Sequence, residues 1–360
     1  MRKPIYINIG GKNIGYGKPI FVIAEAGVNH NRNLDLALRL IDAAADVGAD
    51  AVKFQTAHAE QVVTSMGEMA EYQKKNIRLS GGRMSKSESQ LEMVRKLLPP
   101  DDWYPKLIKH AKKRGIIFFS TPHGSFASVD LLEGLDVPAF KFGSGDLTNL
   151  PLLEYAAKLG KPIILGTGMA TMAEVKEAVK TIHEAGNKKV IALHCTTNYP
   201  CLPEEVNVRS MQSMMKELPC LVGYSDHTIG SQVAVMVSTL GACVIEKHLT
   251  VDNNLPGPDQ RASANPTVFE KMVEEIRKTE VMMGSSVKKP GPNELQYIPM
   301  VRRSIVATRD IRKGEKFSRS NIDLKRPGTG LPAKDFKSVL GLTARKDIAN
   351  DSLIKRHDIK

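Results

Sequence analysis

Eight repeats of one unit constrain this chain more than any other feature: a short apolar run, a polar residue at its end, then a stretch of helical period. The runs fall at 20–24, 51–54, 116–119, 139–142, 162–165, 190–193, 221–224 and 242–245. Short, bounded apolar runs of this kind read as buried strands. Between them lie helical patterns such as 171–185 and 34–47, the latter apolar at Leu34, Ala37, Leu38, Ile41, Ala44 and Ala45. Gly48, Gly115, Gly160 and Gly186 stand where such helices stop, each shortly before the next strand. Eight alternations exceed what an open doubly wound sheet usually carries, and they predict a (β/α)8 TIM barrel. The segment 57–98 is too long for an ordinary βα connection. Its polar content, including Glu71, Tyr72, Lys74, Lys75 and the Gly81-Gly82 pair, predicts a loop-and-helix insertion over the barrel mouth.

A barrel places its chemistry at the carboxyl ends of the strands. Those ends deliver Glu25, then Lys53 and Gln55, then Ser120 and Thr121, then Lys141, Ser144 and Asp146. Thr167 follows, then His194, Thr196 and Tyr199, then Ser225, Asp226 and His227, then Glu246, Lys247 and His248. Lys53 and Lys141 interrupt apolar runs, and a buried ammonium needs an anion beside it. With Gln55, Ser144 and neighbouring hydroxyls they form a cradle for a phosphate or phosphate-carboxylate ligand. The alternative is pairing with Glu25 and Asp146 for stability alone. His227 and His248 close neighbouring runs, so in a parallel sheet both can ligate one metal ion. The turn that ends at Asp259 adds a carboxylate over the same mouth.

At 360 residues and 42% hydrophobic content the chain buries a barrel-sized core and has residues left over. Its net charge of +12 is concentrated in the tail, where residues 281–360 hold 18 Lys+Arg against 8 Asp+Glu. Aromatics there are sparse (Tyr297, Phe317, Phe336), so no base-stacking platform forms and nucleic acid is not expected as a partner. No apolar run approaches the roughly 18 residues of a membrane helix, and the first residues lack a signal-peptide core. A cytoplasmic protein without a membrane partner is the expectation. Cys195, Cys201, Cys220 and Cys243 form no CxxC pair and read as free thiols. The barrel domain is placed at 1–284 and a linker containing Lys288-Lys289-Pro290-Gly291-Pro292 at 285–300. A small domain of few strands and turns follows at 301–360.

Several blocks carry a specific resemblance. They include Ile23-Ala24-Glu25-Ala26-Gly27-Val28-Asn29-His30-Asn31, Val52-Lys53-Phe54-Gln55-Thr56, Phe119-Ser120-Thr121-Pro122 and Lys141-Phe142-Gly143-Ser144-Gly145-Asp146. Gly166-Thr167-Gly168-Met169-Ala170, His194-Cys195-Thr196-Thr197-Asn198-Tyr199-Pro200, Tyr224-Ser225-Asp226-His227-Thr228 and Ile245-Glu246-Lys247-His248 continue the series. Pro256-Gly257-Pro258-Asp259 and Lys325-Arg326-Pro327-Gly328-Thr329-Gly330 complete it. In this order, and over essentially the whole chain, they resemble the signature blocks of the sialic acid synthase family. The resemblance implies a barrel followed by a small mixed α+β antifreeze-like (SAF) domain, in a domain-swapped homodimer. It also implies condensation of phosphoenolpyruvate with an N-acetylated amino sugar, N-acetylmannosamine first, with Mn2+ or Mg2+ as cofactor. A 2,4-diacetamido-6-deoxy acceptor, leading to a legionaminic acid, is the close alternative.

On the matching positions, Lys53, Gln55, Thr121, Lys141, Ser144 and Ser225 hold phosphoenolpyruvate, and His227 and His248 hold the metal. Glu25 and Asp146 move protons. Tyr199 and Asp259 hold the sugar, and Arg326 reaches its N-acetyl group across the dimer. The chain departs from the family pattern at Asp146, where Glu is usual, at Gly166, where Ser is frequent, and at Gln260, where many members have His.

Overall fold

A computed structural model describes residues 6–69, 71–79 and 89–360. The chain divides into two compact units, Met1–Gly284 and Ser285–Lys360. The expected linker 285–300 falls inside the second unit, where it forms α12 (Pro292–Leu295) and most of α13 (Ile298–Val301). The Gly81-Gly82 pair and the first five residues lie outside the described residues.

The first unit opens with an antiparallel hairpin, β1 (Ile7–Ile9) and β2 (Lys12–Ile14). Eight parallel strands then close a barrel: β3 (Phe21–Gly27), β4 (Ala51–Thr56), β5 (Ile117–Pro122), β6 (Phe140–Phe142), β7 (Ile163–Gly166), β8 (Val190–Cys195), β9 (Leu221–Asp226) and β10 (Val244–His248). Each strand precedes a helix: α1 (Leu34–Asp46), α5 (Tyr104–Arg114), α6 (Phe126–Gly134), α7 (Leu150–Lys158), α8 (Met172–Glu184), α9 (Arg209–Glu217), α10 (Gln232–Thr239) and α11 (Pro266–Met283). Every expected strand is present. Most run further toward the carboxyl end than the apolar run alone indicates, because barrel closure pairs the backbone past the last apolar residue. Glu25, Gln55, Asp226 and His248 thereby become strand residues rather than loop residues.

Helix limits follow ordinary capping chemistry. Asn33 caps α1 by accepting from the Leu36 amide, Thr171 and Glu174 form a capping box at α8, and Gly115 ends α5 at φ +69°. The hairpin belongs to the same hydrophobic core as the barrel, with Ile9 and Ile14 buried. Gly10 lies against Ile117, the first residue of β5, which puts the hairpin at the amino end, away from the mouth. Asp50 secures that end through Lys12, the Val22 amide and Arg277 of α11.

Within the mouth segment, α2 (Ala59–Val62), α3 (Glu71–Leu79) and α4 (Gln90–Leu97) make up the described part of the insertion. A Ser89–Glu92 capping box starts α4.

The second unit pairs β11 (Ser304–Ala307) with β12 (Ile322–Lys325) antiparallel and adds α14 (Phe336–Val339). Ile305, Phe317, Ile322, Val339, Ile348 and Ile354 form its core. All four cysteines are free and buried, and among the described residues no helix is long and apolar enough to cross a membrane.

Strand alternation sorts β9 and β10 into two faces. Ser225, Glu246 and His248 point into the barrel. Asp226 and Lys247 point out to the helix layer and pair there at 2.7 Å, both nearly inaccessible. The two strands touch most closely at Gly223, where a Cβ would stand 2.4 Å from the Val244 carbonyl oxygen. A backbone atom cannot yield as a side chain does. Gly223→Ala should therefore cost about 3 kcal/mol or more, the upper end of overpacking penalties. Urea unfolding against wild type measures the loss.

Candidate active site

The barrel mouth holds a chamber of about 210 Å³ lined by side chains from seven of the eight strands and the turns that follow them. Four charged groups form its base. Lys53 Nζ lies 2.6 Å from Glu25 Oε2 and 3.7 Å from Glu246 Oε2, and donates to Thr121 Oγ1 at 2.9 Å. Lys141 Nζ lies 3.4 Å from Glu246 Oε1, which also accepts from Ser225 Oγ at 2.8 Å. Gln55 Nε2 donates to Glu25 Oε1 at 3.1 Å.

Burial and charge divide the two carboxyls. Burial raises the pKa of Glu25, and the negative charge of Glu246 adds to the rise against the opposing pull of Lys53. Burial also acts on Glu246, but the Lys141 and Lys53 ammoniums outweigh it and hold the group at about 2. Such divergence of neighbouring carboxyls is the arrangement that separates a fixed charge from a proton carrier. Glu246 stays a counter-ion, and Glu25, raised by burial, is the carboxyl of the two that holds a proton more readily.

At the lip stand His227 and His248, ring centres 5.7 Å apart, with Tyr199 over the first at 4.1 Å. Burial lowers the pKa of His227 to about 4. His248 is likewise held well below the usual imidazole range by burial, His227 and Lys53. Both rings are neutral at pH 7. The 2.6 Å contact from His227 Nδ1 to the Thr196 carbonyl fixes the proton on Nδ1 and leaves Nε2 an acceptor, 3.4 Å from Ser225 Oγ. His248 Nδ1 is buried without a partner. Two neutral imidazoles with this spacing fit one divalent ion. Among the described residues no group of three or more His, Cys, Asp or Glu is gathered for a metal, so further ligands would be water or substrate oxygens.

Glu25, Lys53, Gln55, Thr121, Lys141, Ser144, Tyr199, Ser225, His227 and His248 all line this chamber. Asp259 does not; it lines an adjoining cavity of about 270 Å³ together with Gln55, Tyr199 and His248. Burial, and then Glu25, raises its carboxyl to about 7. Asp146 is set back. Its Oδ2 accepts from the Gly124 amide at 3.3 Å and lies 3.9 Å from His123 Nδ1, and it is not among the lining residues. Arg326 lies exposed in the second unit, just after β12.

The departures also have structural accounts. A Cβ at Gly166 would stand 3.1 Å from the Ser144 amide and 3.4 Å from Lys141 Nζ, so the glycine gives the Ser144 turn its room. Gln260 is fully buried, accepts from Thr250 Oγ1 and donates to the Asn29 carbonyl at 2.8 Å, which ties two mouth loops together.

Sequence reasoning missed Glu246 as a site residue; it named Asp146 as a proton carrier, and as a counter-ion to the lysines only in the alternative of pairing for stability. The signal was present: Glu246 stands two residues before His248 and so shares its face. His123, which lines both cavities, follows Pro122 in a loop and carries no periodic signal.

The fold and this mouth define a (β/α)8 barrel with a buried lysine–glutamate cluster at the carboxyl ends of its strands. The chain belongs to the NeuB family, whose model matches residues 40–288, and a SAF domain matches 302–360. It is 45% identical over 94% of its length to the N,N'-diacetyllegionaminic acid synthase of Campylobacter jejuni, 99% of which is covered. It is 42% identical over 92% of its length to the enzyme of the same name from Legionella pneumophila, again with 92% covered. Among solved structures it resembles the N-acetylneuraminic acid (sialic acid) synthetase of Leptospira borgpetersenii in complex with citrate. The TM-score is 0.69 and the identity 31%, covering 82% of this chain and 95% of that one.

If Lys53 and Lys141 form an anion site, inorganic phosphate should raise the thermal midpoint of the wild-type protein. At a hundredfold excess over Kd the gain is about 2.7 kcal/mol. Lys141→Met should abolish the phosphate-dependent rise, as read by differential scanning fluorimetry across a phosphate titration.

Proposed function

We propose that the chain joins phosphoenolpyruvate to the open-chain aldehyde of an acetamido sugar, giving a nine-carbon 2-keto acid and phosphate. The observation that carries this reading is the buried lysine pair beneath two neutral imidazoles. Lys53, Lys141, Thr121, Ser144 and Ser225 hold the phosphate and carboxylate of phosphoenolpyruvate and offset their charge. Gln55, Tyr199 and Asp259 hold the sugar where the two cavities meet. His227 and His248 would hold Mn2+ or Mg2+, which when bound supplies Lewis acidity toward the aldehyde oxygen.

The enol carbon of phosphoenolpyruvate attacks the aldehyde carbon. The new C–C bond takes the π pair and leaves an oxocarbenium at the phosphate-bearing carbon. Glu25, whose pKa burial raises, gives its proton to the aldehyde oxygen as the C–C bond forms and takes one from the water that adds to the oxocarbenium. The proton left on the added hydroxyl departs with phosphate in the last step. C–O cleavage then expels phosphate with the bonding pair and leaves the ketone. Asp146, set back behind His123 at 3.9 Å, is given no proton in this scheme. Arg326 serves the sugar's acetamido group from the partner chain of a homodimer, a reading that the molecular mass in solution checks.

The acceptor we infer is 2,4-diacetamido-2,4,6-trideoxymannose, which makes the product N,N'-diacetyllegionaminate. Two relatives above 40% identity carry that activity in their names. N-acetylmannosamine, giving N-acetylneuraminate, is the second reading, favoured by the name of the Leptospira structure.

With Mn2+ and the diacetamido sugar, the enzyme should release phosphate from phosphoenolpyruvate. EDTA should abolish release and added Mn2+ restore it. Glu25→Gln should lower kcat by 10²-fold or more, the scale of a lost general acid–base group. Turnover that survives EDTA would sink the metal role, and turnover that survives Glu25→Gln would sink the proton role.

A further inference from the structure

The two cavities at the mouth share Gln55, His123, Tyr199 and His248, and differ in everything else. The inner one carries the lysines and suits an anion. An acceptor whose aldehyde meets phosphoenolpyruvate at the shared wall has the outer cavity for the rest of its carbon chain. One side of that cavity is formed by apolar side chains of the insertion, which also sends Gln73 and Gln90 into its lining. Met93, Val94, Leu97 and Leu98 come from α4 and the residue after it, and Val62 from α2. Met93 and Leu97 are four apart, as are Val94 and Leu98, so one stripe of the helix faces the cavity. The stripe does not join the barrel core. Leu98 and Val94 belong to a small separate cluster with Ala57, Ala59 and Leu91. An amphipathic helix that turns its apolar stripe toward a cavity of about 270 Å³ leaves hydrocarbon for a ligand to cover.

We propose that this wall of Val62, Met93, Val94, Leu97 and Leu98 is the acceptor-selecting element, favouring methyl-bearing 6-deoxy diacetamido sugars over polyhydroxylated ones. The inference rests on the condensation reading above. The diacetamido sugar presents a methyl at each acetamide and at C6. N-acetylmannosamine has a single acetyl methyl and carries hydroxyls at C4 and C6. A hydroxyl pressed against these five side chains loses its water without a partner among them. A hydrophobic pocket discriminates against an added hydroxyl by on the order of 10²-fold, so the preference should be of that size.

The test measures kcat/KM for both sugars in wild type, Met93→Gln and the near-isosteric Val94→Thr, with the KM for phosphoenolpyruvate as a control for an intact inner chamber. Wild type should favour the diacetamido sugar by on the order of 10²-fold. Each variant should shrink that ratio by about tenfold while the KM for phosphoenolpyruvate holds, since one added polar group offsets one buried hydroxyl. If Met93→Gln fails to fold, Val94→Thr carries the test alone. An unchanged ratio with active, folded variants overturns the wall as selector, and so does a wild type that prefers N-acetylmannosamine. Silence of metal-loaded wild type with both sugars overturns the condensation reading instead, and the wall falls with it.

Discussion

Four charges buried at the barrel mouth govern the rest of the molecule. Taking Lys53, Lys141, Glu25 and Glu246 out of water is costly, and only mutual pairing offsets the cost. Every side chain must therefore arrive at the same depth, from strands that are far apart in sequence. A closed barrel achieves this because hydrogen-bonded neighbours fix one another's register around the whole ring: Glu25 stands opposite both Lys53 and His248, and Glu246 opposite Ser225. The ion cluster and the closed sheet specify each other. A hydrophobic replacement would make a steadier core and leave nothing to meet an anion.

The same alternation that fills the mouth supplies a second ion pair outside it. Lys247 and Asp226 lie one residue from the inward groups of their strands, and their pairing under the helices neutralises charges that would otherwise be stranded there. Asp226 also accepts from the Thr228 amide and hydroxyl, and Lys247 donates to the Thr228 carbonyl. That web fixes the backbone on either side of His227. The outward layer thus orients the inward one, and the histidine's single proton is settled by the Thr196 carbonyl.

Much of this was legible in the sequence. Eight apolar runs of strand length have few ways to be buried, so the barrel and the polar rim follow from periodicity. The ranges 221–224 and 242–245 underestimated β9 and β10 because Ser225, Asp226, Glu246, Lys247 and His248 look like loop residues until ring closure gives their backbones partners. Glu246 was overlooked as the lysines' counter-ion for a related reason. Asp146 is near Lys141 in sequence, but it lies in a tight turn past the end of β6, and Glu246 reaches the lysines across the barrel. The apolar outer cavity left no trace at all. The stripe on α4 has the same spacing as any core-facing helix, and spacing cannot say whether a stripe meets packed side chains or a hollow.

The insertion between β4 and β5 leaves the hydrogen-bonded ring untouched, and this sets where such an enzyme is free to diverge. Deleting one residue from Val244–His248 would carry Glu246 into the helix layer and bring Lys247 to the mouth, so both ion clusters would fail at once. No gradual path runs through the strands. The described residues between β4 and α4 supply no strand to the barrel, so changes there carry no such penalty. If the wall on α4 selects the acceptor, sugar preference can change in this segment while the ring of strands stays as it is.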